Sequence, residues 1–204
     1  YSYMANSDFT VANLSNANIT NSYLYGARFV NSYMANVDLS NSNLAAVNLT
    51  NAYLAYANLS FSWLSITGGN GADMSNTNLT HSNLSSVDAQ GVSFSHADLT
   101  YSNMSYMIAG YSYEHATLDY ATIINGFFSY ASFTNASLVQ VDLTGTRLGA
   151  ADLTNANLSL ANLTDADLSY SDLTGADLTD VIWSNTLCPD LTNSDNNGNT
   201  CENN

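Results

Sequence analysis

Large apolar residues recur at every fifth position along almost the whole chain. In residues 31–60, NSYMA NVDLS NSNLA AVNLT NAYLA YANLS, they fall at Met34, Leu39, Leu44, Leu49, Leu54 and Leu59. Two positions before each stands a smaller residue: Ser32, Val37, Ser42, Val47, Ala52 and Ala57. Asn, Asp or Tyr lies between the two, and Ser, Thr or Ala usually follows. Such a period excludes the common elements. Positions five apart drift by about 140° around an α-helix, and a half-buried strand alternates every two residues. A unit this short cannot bury its own large residue, but stacked units bury a continuous column.

The pattern resembles the pentapeptide-repeat family, with its loose consensus A-(D/N)-L-x-x, from Ser2 to about Cys188. The resemblance implies an all-β fold, a right-handed quadrilateral β-helix. Each pentapeptide forms one side and twenty residues form a coil, with the large and small residues inward and the other three outward. Coils spaced like strands in a sheet would make about nine coils and a rod of roughly 40–45 Å. Large positions run from Met4 through Phe9, Leu14, Ile19, Leu24 and Phe29 to Met104. They resume one residue out of phase at Tyr113 or Leu118 and continue to Trp183. The expected organisation is a solenoid over 1–187, with a distorted corner at about 105–117, and a tail over 188–204.

Residues twenty apart should share a column. By that arithmetic Phe9, Phe29 and Leu49 continue as Gly69, Ala89 and Ala109, so one side loses its large residues midway. The segment SITGGNGA, 65–72, reads as a bulge there, with Gly supplying unusual backbone angles. Phe94, one side further round, would fill part of the space.

Composition narrows the function. The chain has no Lys, two Arg and seventeen Asp and Glu, for a net charge of −15. Holding a nucleic-acid backbone requires clustered cations, and so does an anionic membrane surface. Neither partner fits. No apolar run is long enough to span a bilayer. No signal peptide is read, and the start at Tyr1 instead of Met suggests a processed end or a boundary within a longer chain.

Candidate chemistry is sparse. Arg28 lies one coil from Asp8, and Arg147 one coil from Asp167, so each can pair with a carboxylate. Asp152 and Asp172 stack without an intervening cation, a weak calcium candidate since calcium wants six to eight oxygens. His81, His96 and His115 fall outside the inward positions and have no zinc spacing. No nucleophile motif appears. The expectation is no enzyme, no cofactor and no firm metal site. Ten N-x-S/T sequons occur, but nine coincide with the repeat itself, leaving Asn135 outside the frame. Asn135, Asn157 and Asn162 are the glycosylation candidates, so attached glycans belong to the expectation.

Cys188 and Cys201 are the only cysteines and bracket the non-repeat tail LCPDLTNSDNNGNTC. A disulfide there would add about 3 kcal/mol in the chain-entropy picture and implies an oxidising compartment. Two free thiols or half of a zinc site are the alternatives. The tail also resembles the CPD…C ends of exported bacterial members of the family. Outward aromatics, Tyr3, Tyr23 and Trp63 on one side and Tyr33 and Tyr53 on the opposite one, form a candidate interaction surface.

These features predict a non-enzymatic structural or interaction protein, secreted, at the cell surface or in the periplasm. The repeat is in register from Ser2 without a cap, which favours head-to-tail stacking on itself as a filament or surface-layer subunit. Another surface protein is the second candidate partner. The alternative comes from the resemblance: some members mimic DNA with an acidic rod and bind DNA gyrase. A flat ice- or polysaccharide-binding face fits poorly, because the outward Thr positions are too mixed.

Overall fold

The computed structural model describes residues 2–64, 74, 77–85, 87–89, 92–109 and 112–201. The expected bulge at 65–72 therefore lies outside the described residues.

Among the described residues, nearly every side of the solenoid is one bridged residue between two turns, and the bridges from coil to coil are parallel. Tyr3 pairs with Tyr23, Tyr23 with Asn43 and Asn43 with Trp63, twenty residues apart. The bonding repeats from coil to coil. The large residue donates to the outward carbonyl one coil on, as Met34 N–H does to Tyr53 at 2.8 Å. The outward residue donates to the small residue's carbonyl one coil back, as Tyr53 N–H does to Ser32 at 2.9 Å. Among the described residues, sides this short leave longer strands only at β1 (Asp88–Ala89) and β2 (Ile108–Ala109), which pair in parallel.

The corners explain the other positions of the repeat. The large residue's carbonyl accepts from the N–H three residues on, as in Val37 N–H to Met34 at 3.1 Å. The second central residue has positive φ, for example 55° at Asn36 and 56° at Asn41, whereas the first does not. That is a type II turn, whose second central residue must be left-handed. Asn tolerates this region better than other non-glycine residues, so Asn opens many pentapeptides. The Asp or Asn on the side accepts from the N–H of the Ser or Thr two residues on, as Asp98 does from Thr100 at 3.1 Å. Several such Thr hydroxyls bond the same oxygen. The D/N-L-S/T pattern is thus a side chain tying down its own turn.

The interior is a stack of four columns. Side one carries Leu24, Leu44 and Leu64; side two Phe29, Leu49 and Met74; side three Met34, Leu54 and Leu79; side four Leu39, Leu59 and Leu84, all fully buried.

Two register changes alter the expected columns. Tyr53 pairs with Asn78 and Asn58 with Asn83, twenty-five apart, so one whole pentapeptide is inserted before Met74. From Ser93↔Ser112 to Ile108↔Phe127 the spacing is nineteen, and from Ser112↔Ser132 it returns to twenty. The missing residue falls between Ile108 and Ser112. The expected continuation of Phe9, Phe29 and Leu49 into Gly69, Ala89 and Ala109 is therefore wrong. Strict addition of twenty ignores the insertion. Side two continues instead as Met74, Phe94, Tyr113, Phe133 and Leu153.

Ala89 and Ala109 belong to side one, between Leu64 and Phe128. Aromatic rings fill the volume they leave. Phe94, Tyr113 and Phe133 stack at 5.1 and 4.8 Å, and Phe128 tilts against Tyr113 at 5.7 Å. Tyr113 is fully buried and its hydroxyl has no hydrogen-bond partner among the described residues. Burial pushes its phenol pKa well above the usual value.

Candidate functional site: the C-terminal end and the aromatic corners

The tail is a cap built in the idiom of the repeat. Cys188 takes the large position of side one, after Leu148 and Leu168, and is fully buried. The chain then reverses, so that Leu187 pairs antiparallel with Asn193. Asn193 caps a short 3-10 turn, Ser194–Asn196. Ser194 is fully buried and its hydroxyl accepts from Thr186 N–H at 3.1 Å. Ser42 does the same for Ser22 one coil away, also at 3.1 Å. Ser194 thus stands in for the residue that a further coil would supply. Asp195 accepts from Asn185 N–H at 2.8 Å. A disulfide between Cys188 and Cys201, with Cα atoms 5.3 Å apart, holds the tail in place.

The tail bonds Asn185 and Thr186 at the corner between sides four and one and Cys188 on side one, and none of the described tail residues bonds sides two and three. Inside the rod, Leu153 and Leu158 N–H donate to the next coil at 2.8 Å each. At the end, the N–H groups of Leu173, Gly175, Leu178 and Asp180 and the carbonyls of Ser171 and Ala176 have no such partner among the described residues. A groove of about 680 Å³ lies over this edge, walled by Pro189 and Cys201. Leu173, Ala176 and Leu178 are only partly buried on it.

Aromatic rings line the outside. Tyr3 and Tyr23 stack at 5.1 Å, and Tyr25 lies 6.3 Å from Tyr23. Trp63 is two coils along the same side, beyond Asn43, and Tyr33 and Tyr53 are bridged on the opposite side. All five candidate aromatics are exposed. A longer ladder runs up one corner: Tyr56, His81, Tyr101 and Tyr120 stack at 4.8, 4.9 and 4.9 Å. His96 and His115 stack at 5.0 Å on a neighbouring corner. Counting by twenty finds only the step from His81 to Tyr101, because the other steps cross the inserted pentapeptide or the missing residue.

The charged candidates are dispersed. Arg28 approaches Asp8 at 3.9 Å with both side chains some 60% exposed, a solvent-screened contact that adds little to stability. Arg147 and Asp167 are bridged neighbours one coil apart, as expected, but their side chains form no ion pair. The Arg147 guanidinium lies 5.0 Å over the Phe127 ring one coil back, a cation–π contact. Asp152 and Asp172 are bridged neighbours, each accepting from the Thr two residues on at 2.9 Å. Thr154 holds the Asp152 pKa below the usual carboxylate value, and Thr174 does so for Asp172. Among the described residues, no group of three or more His, Cys, Asp or Glu is placed to hold a metal ion. Nor is any helix among them long and apolar enough to cross a membrane. Of the sequon candidates, Asn135 is exposed at a left-handed corner. Asn157 accepts from Ser159 N–H at 3.0 Å, and Asn162 donates through Nδ2 to Asp142 at 3.3 Å.

The family model for pentapeptide repeats matches in 8 copies, over 1–31, 32–65, 70–94, 77–107, 114–149 and 142–180. The chain belongs to the pentapeptide-repeat family. The right-handed β-helix of that family accords with the parallel twenty-residue register. Pentapeptide-repeat proteins are generally non-enzymatic structural or interaction proteins. No curated protein sequence matches. Among solved structures, the chain is similar to HetL, a pentapeptide-repeat protein involved in heterocyst differentiation regulation in the cyanobacterium Nostoc sp. strain PCC 7120. Identity is 26% over 93% of this chain and 88% of that one, with a TM-score of 0.46. It is also similar to trypsin-treated QnrB1, a plasmid-mediated fluoroquinolone resistance protein, at 18% identity over 89% and 91%, with a TM-score of 0.31. A pentapeptide-repeat protein of the Arabidopsis thaliana thylakoid lumen matches at 20% identity over 69% and 67%, with a TM-score of 0.27. Superpositions this loose carry no functional argument, and the family assignment rests on the repeat.

Proposed function

We propose that this pentapeptide-repeat protein is a non-enzymatic structural subunit, a rod of about nine coils that stacks on copies of itself through its ends. The open edge at 171–180 carries this reading. Its unmet N–H groups, at Leu173 and Leu178, are the donors that inside the rod meet an outward carbonyl. Its unmet carbonyls, at Ser171 and Ala176, are the acceptors that meet an outward N–H. The coil at 3–22 offers the complement: among the described residues, the outward N–H and C=O of Tyr3, Asp8, Asn13 and Asn18 bond no backbone group. Met4, Phe9, Leu14 and Ile19 are only partly buried beside them.

An unpaired strand edge with apolar flanks is a template for another chain, and a contact between unlike ends propagates. The capping tail confines the junction to sides two and three. The disulfide supports a secreted, surface or periplasmic setting, because such bonds persist in oxidising compartments. The test is sedimentation velocity over a range of concentrations. Wild-type protein should form larger species as concentration rises, and Leu178→Lys, which places a charge on the junction, should remain monomeric. A monomer at every concentration would refute the reading.

A further inference from the structure

We propose that the stacked tyrosine pairs Tyr101–Tyr120 and Tyr3–Tyr23 are sites of oxidative cross-linking, each pair closing to a dityrosine within one chain. Tyr101 and Tyr120 lie 4.9 Å apart with their rings 16° from parallel, and Tyr3 and Tyr23 lie 5.1 Å apart at 12°. Backbone bonds fix both partners of the first pair. Tyr101 N–H donates to Asp119 at 3.0 Å and Tyr120 N–H to Val139 at 2.9 Å. The phenols nevertheless remain open to solvent, with Tyr101 52% and Tyr120 44% exposed. Both tyrosines hold φ near +60°, a conformation that favours Asn or Gly. The chain places rings at four successive levels of one corner despite that preference.

The chemistry needs a one-electron oxidant, such as a peroxidase with hydrogen peroxide. Each phenol loses one electron and one proton. The two radicals join through ring carbons ortho to the hydroxyls, and tautomerisation restores both phenols. Hydrogen peroxide takes up the two electrons and two protons and leaves as two waters. Rings already in contact couple without a diffusional encounter. The product would tie adjacent coils covalently, as the disulfide ties the tail.

The arrangement contains its own controls. While Tyr3 stands at 80%, Tyr130 and Tyr170, at 81% and 71%, are more exposed than Tyr101, Tyr120 and Tyr23, and neither is stacked on another tyrosine among the described residues. Ala150 lies between them along their corner. Tyr56 faces His81 at 4.8 Å instead of a phenol. If contact decides the product, cross-links follow stacking and not exposure.

The experiment treats dilute, full-length protein with horseradish peroxidase and hydrogen peroxide, then maps cross-linked Asp-N peptides by mass spectrometry. The expected result is loss of two hydrogens at Tyr101–Tyr120 and at Tyr3–Tyr23 within monomers. Tyr120→Phe should abolish the first cross-link and leave the second, with an unchanged melting temperature showing that the fold is kept. His81→Tyr should bring Tyr56 into a new cross-link. The proposal is overturned if no dityrosine forms while free tyrosine couples in the same mixture. It is equally overturned if cross-links join only separate chains, or centre on Tyr130 and Tyr170.

Discussion

Breaking the Cys188–Cys201 disulfide should open the C-terminal cap and leave the rest of the rod intact. The bond spans 13 residues of sequence, and closing a loop of that size removes about 3 kcal/mol of chain entropy from the open state. That corresponds to roughly a hundredfold change in the open population. The hydrogen bonds released include Thr186 N–H to Ser194, Ser194 N–H to Thr186, Asn185 N–H to Asp195, Asn193 Nδ2 to Asn185, and Cys188 N–H to Thr192 at 2.8 Å. Solenoid units contact only their neighbours, so the effect should decay within a coil or two.

Amide hydrogen exchange with and without reductant reads this directly. Exchange at Asn185, Thr186, Cys188 and Ser194 should quicken by about two orders of magnitude, in step with the cap-opening free energy. Leu138 and Leu143, two coils away, should keep their protection. Reduction that accelerated all these amides equally would show the rod to be one cooperative unit. No change at Thr186 would show that the tail is held by something other than the bond. Either result refutes the reasoning.

Three further outcomes follow from the packing. Ser194→Ala removes the acceptor for Thr186 N–H in a buried place and should cost about 1–3 kcal/mol of cap stability, measured by the same exchange. Leu158→Ala, at a fully buried large position, should cost about 2–5 kcal/mol in chemical denaturation through the cavity it leaves. Acidification should destabilise the fold. The Thr two residues on holds the folded pKa of Asp8, Asp152, Asp172, Asp177 and Asp190 below the ordinary 3.8. A depressed carboxylate contributes stability that is present above the unfolded value and lost as pH falls through the folded one. Denaturation midpoints should therefore drop as pH is lowered below about 4, and a rise there would contradict the assignment.

Much of this architecture was legible because it depends on short-range pattern. The inward and outward roles within each pentapeptide follow from a five-residue count. So does the Asn preference at corners, since the same turn recurs at each one. What depended on register across coils was harder to read. Adding twenty sends Tyr56 to Asn76, whereas the inserted pentapeptide places it under His81, and the missing residue then sets Tyr101 under Tyr120. An insertion of one whole repeat leaves the local phase untouched, so the five-residue count carries no mark of it, and reading the glycine-rich segment 65–72 as a bulge gives no change of register. The same slip misassigned Ala89 and Ala109 to the column of Phe9. Arg147 turned to Phe127 because the side one neighbour below offers a ring face, while pairing with Asp167 would gain little on an exposed surface.

The two ends show the same division. The cysteines were visible as the only pair, yet nothing in the sequence marked Ser194 as the mimic of a repeat serine. That role appears only once the chain reverses and Leu187 meets Asn193. The open edge beside it is likewise a property of geometry: the two sides at 171–180 look like any others in sequence, and differ only in having no bonded neighbour beyond them among the described residues.

The central claim, a rod that stacks through its ends, is tested most directly by measuring particle lengths in electron micrographs over a concentration series. The account predicts particles of constant width whose lengths cluster at multiples of a single rod of about 45 Å, lengthening with concentration. Single rods alone at every concentration, or assemblies that widen without lengthening, would contradict it.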